Sequence, residues 1–118
     1  MTQRDKELLE RDLSCRIPYG VILNINGISN VKLTSVSWYG EVGIDDGCTY
    51  LYSVSGVKPY LFPLSSMTEE QQINLTKFVA NGIHGENILY DWYNKNHFDY
   101  RGLIEKGLAI DATGLNIY

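Results

Sequence analysis

Apolar residues near the start of the chain recur at the spacing of an amphipathic helix. Leu9, Leu13 and Ile17 lie four residues apart, and charged residues fill many of the positions between them. Pro18 follows and cannot continue a helix, because it lacks a backbone N–H and its ring collides with the preceding turn. The pattern therefore predicts a helix over residues 2–16.

From residue 19 onward apolar residues alternate with polar ones, which indicates β-strands. The alternation at Leu33 resumes one residue out of phase at Val36, and this slip predicts a β-bulge or a bend. Asp45-Asp46-Gly47 has the composition of a hairpin turn. Pro59 and Pro63 remove backbone donors, so we expect the last strand to be an edge strand or a strand-like loop. The predicted strand segments, in chain order, are 21–25, 31–39, 41–44, 48–54 and 57–64.

Helical signals dominate after residue 64. Thr68 and Gln71 have the spacing of a capping box, and they predict a helix over residues 68–81. A second helix is predicted over 86–96. Asp99 is expected to cap a short third helix that stops at Gly107. Residues 108–112 are predicted to return as a final strand.

Together these elements predict an α+β fold in a single domain over residues 1–118. We expect an N-terminal helix, a four- to five-stranded antiparallel meander and a C-terminal layer of two to three helices. The length of 118 residues and the 44% hydrophobic content suit one core of its own. Nine tyrosines are the unusual count, and most fall where the predicted sheet and helices meet.

The net charge of the chain argues against a nucleic acid, with its phosphate backbone, as the default partner. Ten Lys and Arg against 14 Asp and Glu give a net charge of −4, and no basic cluster stands out. The start of the chain lacks the apolar core of a secretory signal, and no run of about 18 apolar residues is present. We therefore expect a cytoplasmic protein that does not enter a membrane, with Cys15 and Cys48 as free thiols.

A polar cluster at His97, Asp99 and Arg101 has the residue types of an acid, a base and an anion clamp. No nucleophile, metal motif or cofactor motif accompanies it in the sequence, so a structural role explains it more simply. Asp99 would cap a helix, Arg101 would pair with a carboxylate or an aromatic ring, and His97 would bond at the helix junction. The sequence predicts no enzyme activity and no cofactor or metal site.

Gly82-Ile83-His84-Gly85 lies between two predicted helices, as does the loop with which KH domains clamp a nucleic-acid backbone. The loop contains no Lys or Arg, and the region around it is net negative, which opposes phosphate binding. Nucleic-acid binding by the helical pair 68–96 and the Gly82–Gly85 loop is therefore the alternative function, and protein binding is the preferred one.

The segment 58–64 is the candidate surface for a partner protein. Tyr60, Leu61 and Phe62 present apolar area between two prolines, and that area must be covered. A partner protein or a second copy of the chain would cover it in an exposed strip. In the other interpretation the segment is an internal crossover packed beneath the C-terminal helices.

Several long motifs carry a resemblance. They are residues 12–13, 18–21, 58–70, 91–94 and 97–109. In these motifs the chain resembles a group of small proteins, with no assigned activity, encoded in gut Bacteroides genomes and their phages or prophages. The resemblance implies a phage or mobile-element origin and a cytoplasmic location, and it implies no catalytic residue. The missing catalytic constellation, the mild acidity and the aromatic strip predict a non-enzymatic protein-binding module, and in the setting that the resemblance implies its target would be a host factor.

Overall fold

The first helix forms where the hydrophobic pattern predicts it. The computed structural model describes residues 1–37, 39–45, 51–81 and 88–118, and α1 spans Gln3–Arg16. Thr2 caps it: the Thr2 hydroxyl accepts from the Asp5 N–H at 3.1 Å, and the Asp5 carboxylate accepts from the Thr2 N–H. Leu9 and Leu13 are fully buried. The helix ends in a short 3₁₀ turn over Ile17–Tyr19, which contains Pro18 as predicted.

A mostly antiparallel sheet forms the centre of the molecule, and its described strands run in the order β4-β3-β2-β1-β5-β6, with β7 also pairing β5. The bounds are β1 Ile22–Ile25, β2 Ile28–Val36, β3 Glu41–Ile44, β4 Leu51–Ser53, β5 Val57–Pro63, β6 Phe98–Asp99 and β7 Ile110–Asp111. The prediction of four to five strands was too low. It missed β6 entirely, because a two-residue strand has no periodicity to detect.

The irregularity predicted in the first strands is present, and β2 begins at Ile28, three residues before the predicted start. Asn26 and Gly27 connect β1 to β2 with φ values of 51° and 90°, the positive range that a tight hairpin requires. The pairing of β2 with β3 shifts register between Leu33 and Ser35, which confirms the predicted bulge. Only the first residue of the turn predicted at 45–47 is among the described residues. Cys48 lies outside them.

Strand β5 is an interior strand, so the prediction of an edge strand or loop is wrong. It pairs antiparallel with β1 on one side and parallel with β6 and β7 on the other. The Phe62 N–H donates to the His97 carbonyl, and the Leu61 carbonyl accepts from the Ala112 N–H, both at 2.8 Å. Pro59 and Pro63 each remove one donor, and the remaining groups are sufficient to pair the strand.

Two helices follow the sheet, α2 over Glu69–Asn81 and α3 over Ile88–Lys95. The predicted third helix is absent, and residues 103–107 form turns instead. Asp99 still caps this segment, because its carboxylate accepts from the Leu103 and Ile104 N–H groups at 3.0 and 2.9 Å. Gly102 has a φ of 75°, which breaks the helical backbone directly after the cap.

The hydrophobic core lies between α1, the sheet and the turns after β6. The fully buried members include Leu9 and Leu13 from α1, Leu23 and Leu61 from the sheet, and Leu103 from the turns. The described side chains of α2 contribute none of this core. Among the described residues, no helix has the length and apolar character needed to cross a membrane.

The burial pattern predicts a sharp contrast between two apolar substitutions. Leu61→Ala removes a fully buried side chain from β5 and is expected to lower the free energy of unfolding by roughly 2–5 kcal/mol. Ile73→Ala, on α2, changes a side chain that is 50% exposed and is expected to alter it by no more than about 0.5 kcal/mol. Urea denaturation measures both. Equal effects would contradict the interior position of β5.

Candidate functional site

A buried ion cluster joins α1 to the C-terminal part of the chain. The Asp12 carboxylate accepts from Arg16 Nε at 2.8 Å and Nη2 at 3.1 Å, and neither side chain is exposed. Arg16 Nη2 also donates to the Phe98 carbonyl at 2.7 Å. Arg101 Nε donates to the same Asp12 carboxylate at 3.1 Å, and the Arg101 side chain remains 21% exposed. Two guanidinium groups therefore share one carboxylate, which leaves the cluster with one net positive charge.

Tyr100 packs against both guanidinium groups of this cluster. The Arg16 and Arg101 Cζ atoms lie 5.4 and 4.9 Å from its ring centroid, and its hydroxyl accepts from Arg101 Nη2 at 3.2 Å. Burial lowers the pKa of the Arg101 guanidinium, but Tyr100 and Asp12 raise it by more, so the net pKa lies above its usual value. The rings of Tyr90 and Tyr93 lie 5.0 and 5.6 Å from that of Tyr100.

A pocket of about 650 Å³ opens beside Tyr100, between the end of α1 and the outer side of α3. We call it the Tyr90 pocket. Its lining combines aromatic walls with a few polar groups: Ser14, Cys15, Pro18, Tyr19, Tyr90, Asp91, Asn94, Tyr100 and Arg101. The Cys15 Sγ accepts from Arg101 Nη2 at 3.8 Å. The volume falls in the range of ligand-binding pockets, and the lining is more polar than that of most such pockets.

Asn94 is the most buried residue of the pocket lining. Only 3% of the residue is exposed, and its Oδ1 has no hydrogen-bond partner in the described part of the chain. A buried acceptor without a donor costs about 1–3 kcal/mol. Oδ1 is itself shielded from solvent, so Asn94 lines the pocket with its other atoms.

The structure does not bring His97, Asp99 and Arg101 together. Arg101 lines the Tyr90 pocket, whereas the Asp99 carboxylate is buried and caps the turn that follows it. The His97 ring stacks on Tyr118, 3.7 Å between centroids. The arrangement of acid, base and anion clamp that these residue types suggested is therefore not formed.

His97 and Tyr118 form a separate, partly buried contact over β5. Burial, with a smaller contribution from the Arg16 charge, lowers the pKa of His97 to about 4. Burial raises the pKa of the Tyr118 hydroxyl to about 12, which keeps it protonated as a donor to the Tyr60 carbonyl at 2.6 Å. The Ile22 N–H donates to the same hydroxyl at 3.0 Å.

The candidate strip at Tyr60, Leu61 and Phe62 is not an exposed surface. Tyr60 and Leu61 are buried, and the half-buried Phe62 ring lies 6.1 Å from Phe98 and 5.9 Å from Tyr118. Residues from β6 and the C-terminal segment cover the apolar area that we expected a partner to cover. The interpretation of this segment as an internal crossover is therefore the better of the two, although its backbone forms a strand and not a loop.

The Gly82–Gly85 loop of the nucleic-acid alternative lies outside the described residues, so that function stays a prediction. Within the described ranges, no three His, Cys, Asp or Glu side chains are placed to hold a metal ion.

Sequence reasoning missed the Tyr90 pocket, because its residues come from two distant parts of the chain, 14–19 and 90–101. One signal was present. Asp12 and Arg16 lie three and seven residues after Leu9, which places both charges on the buried face of α1. Charges at core positions require partners, so this spacing indicates a buried ion pair.

The lowered pKa of His97 predicts a pH dependence of stability. Between about pH 6.5 and pH 4 the unfolded chain binds a proton at this position that the folded chain does not, so the free energy of unfolding falls as the pH falls. His97→Asn removes this titration, and Asn tolerates the φ of 63° found there. Denaturation at several pH values is expected to show wild type losing stability faster than the variant. Parallel curves would contradict the assignment.

No family model, curated protein or solved structure matches this chain. Its site is therefore interpreted from its own geometry. That site is a pocket with tyrosine walls and a guanidinium held in place by a buried carboxylate.

Proposed function

We propose that this protein is a non-enzymatic protein-binding module and that a partner protein docks at the Tyr90 pocket. The observation that carries the proposal is the exposed tyrosine wall. Tyr90 is 47% exposed although its ring packs against that of Tyr100. Arg101 also lies against the Tyr100 ring. Tyrosine and arginine are the residue types most enriched at the energetic centres of protein interfaces.

The rigidity of the pocket supports the same function. Arg101 is fixed by Asp12 and by the Tyr100 hydroxyl, and Tyr100 is held between neighbouring rings. Side chains that are already ordered lose little conformational entropy when a partner binds, which favours affinity. A docking site of this kind replaces the strip at Tyr60, Leu61 and Phe62, which the core already uses.

The chemistry of the pocket favours binding over catalysis. The hydrogen-bond partner of the Cys15 thiol is Arg101, which only donates and cannot serve as a general base. His97, the residue type most often used as a base, stacks on Tyr118 away from the lining. The phage or mobile-element setting and the action on a host factor remain part of the proposal, on the resemblance alone.

Site-directed photo-cross-linking tests this function. A photoreactive benzoylphenylalanine is placed at position 90, and in a matched control at position 73, where Ile73 is 50% exposed on α2. In a lysate of the organism that encodes the chain, we expect position 90 to capture a defined protein that position 73 does not. With that protein purified, Tyr90→Ala is expected to weaken binding by about 2 kcal/mol, roughly 30-fold, as for an interface hot spot.

Ile73→Ala is the control and is expected to bind the purified partner as wild type does. Equal binding by Tyr90→Ala and wild type would contradict the proposed site. A cross-link from position 90 to a second copy of the chain would identify self-association and would contradict a foreign partner.

A further inference from the structure

We propose that Asn26 is a site of spontaneous deamidation and that Asn24 and Tyr60 suppress the reaction in the folded chain. The site is the turn between β1 and β2, and it is independent of the Tyr90 pocket. Asn26 is followed by Gly27, and both residues are exposed. Water is the only co-reactant that the modification needs, and no enzyme takes part.

The dipeptide Asn-Gly allows the backbone to attack the side-chain amide. The nitrogen of Gly27, after it loses its proton to hydroxide, forms a bond to Cγ of Asn26. The Cγ–Nδ2 bond breaks, and its nitrogen takes up a proton and leaves as ammonia. Water then opens the resulting five-membered imide at either carbonyl, which yields aspartate or isoaspartate. Asn is a chemically labile residue type, and glycine has no Cβ to obstruct the attacking nitrogen.

The hairpin requires the same dipeptide for a different reason. Ile25 pairs with Ile28, so Asn26 and Gly27 are the two residues of a tight turn. Their φ values of 51° and 90° are those of a type I′ turn, for which Asn-Gly is a preferred sequence. The isoaspartate product has one additional main-chain carbon and cannot keep the geometry of a two-residue turn. The fold therefore exposes a reactive dipeptide on which the pairing of β1 with β2 depends.

Asn24 engages the nitrogen that would attack. The Gly27 N–H donates to Asn24 Oδ1 at 3.0 Å. This hydrogen bond stabilises the protonated amide, whereas the attack requires the deprotonated one. Asn24 Nδ2 donates in turn to the hydroxyl of the buried Tyr60 at 3.2 Å, which holds the Asn24 side chain in place. The two contacts together keep the Gly27 nitrogen in its unreactive form.

Asn26 itself is also held by its neighbours. Its N–H donates to the Gly56 carbonyl at 3.0 Å. Its side-chain oxygen lies so close to Gly56 that a Cβ at position 56 would collide with it. The backbone on both sides of the reacting bond is therefore hydrogen-bonded in the folded chain, and these hydrogen bonds are lost in the unfolded chain.

Peptide mapping by tandem mass spectrometry measures the reaction. The full chain is incubated at mildly alkaline pH, either folded or unfolded in guanidinium chloride, and is digested with trypsin at intervals. Fragment 17–32 contains Asn26, and fragment 78–95 contains Asn81, which is also followed by glycine and serves as the internal reference. We expect Asn26 to deamidate about tenfold faster, or more, in the unfolded chain, because two hydrogen bonds are lost.

Three variants test the suppression in the folded chain. Asn24→Ala removes the acceptor and is expected to raise the rate at Asn26 roughly three- to tenfold, as for the loss of one hydrogen bond. Tyr60→Phe removes the hydroxyl that holds Asn24 and is expected to raise the rate by a smaller factor. Asn24→Asp keeps an acceptor for the Gly27 N–H and is the matched control, with a rate no higher than that of wild type. The rate at Asn81 is expected to be the same in all of them.

Equal rates at Asn26 in wild type and Asn24→Ala would overturn the inference, as would equal rates in folded and unfolded wild type. If Asn24→Asp deamidates as fast as Asn24→Ala, the lost acceptor is not the cause and the inference is wrong. An Asn26 that stays intact even in the unfolded chain is not a deamidation site. Circular dichroism shows whether each variant is folded. If Asn24→Ala is not, Tyr60→Phe decides, and a rate equal to that of wild type would overturn the suppression.

Discussion

The ion cluster of Asp12, Arg16 and Arg101 is the interaction on which the arrangement of the site depends. Charges that are removed from water destabilise a protein unless each one is paired and hydrogen-bonded. Here the two carboxylate oxygens of Asp12 accept three hydrogen bonds, and Arg16 gives another to the Phe98 carbonyl. The donors and acceptors come from α1, from β6 and from the segment after β6. These hydrogen bonds fix α1 against the C-terminal part of the chain and set the position of Tyr100, although the buried Nη1 of Arg16 has no partner among the described residues.

The same cluster determines the electrostatics on two sides of α1. On one side, the second guanidinium has no carboxylate of its own, and its surplus positive charge reaches the Tyr90 pocket through Arg101. On the other side, the Arg16 charge adds to burial in keeping His97 neutral. The buried Arg16 therefore contributes to the electrostatics of both the Tyr90 pocket, through the shared Asp12, and His97, where burial is the larger cause.

The local parts of this structure could be predicted from the sequence, and the long-range parts could not. Hydrophobic periodicity and Pro18 locate α1, and the phase slip after Leu33 locates the bulge in β2. On one side β5 pairs with β6 and β7, which follow about 36 and 50 positions later. The final strand was predicted, but β6 has only two residues and no periodic signal, and nothing in the sequence indicates that either strand pairs with β5. For that reason Tyr60 was predicted to lie on a partner surface, whereas in the structure it is part of the core. The Tyr90 pocket escaped prediction likewise, because Asp12 and Arg101 are 89 residues apart in sequence.

A double-mutant cycle between Asp12 and Arg101 tests the central claim most directly. The free energies of unfolding of wild type, Asp12→Ala, Arg101→Gln and the double variant are measured by urea denaturation. If the Asp12 carboxylate holds Arg101 in place, the two substitutions are coupled, with an interaction energy of about 1–3 kcal/mol in favour of the native pair. Effects that add to within about 0.5 kcal/mol would show that the two residues do not stabilise one another, and would contradict the account.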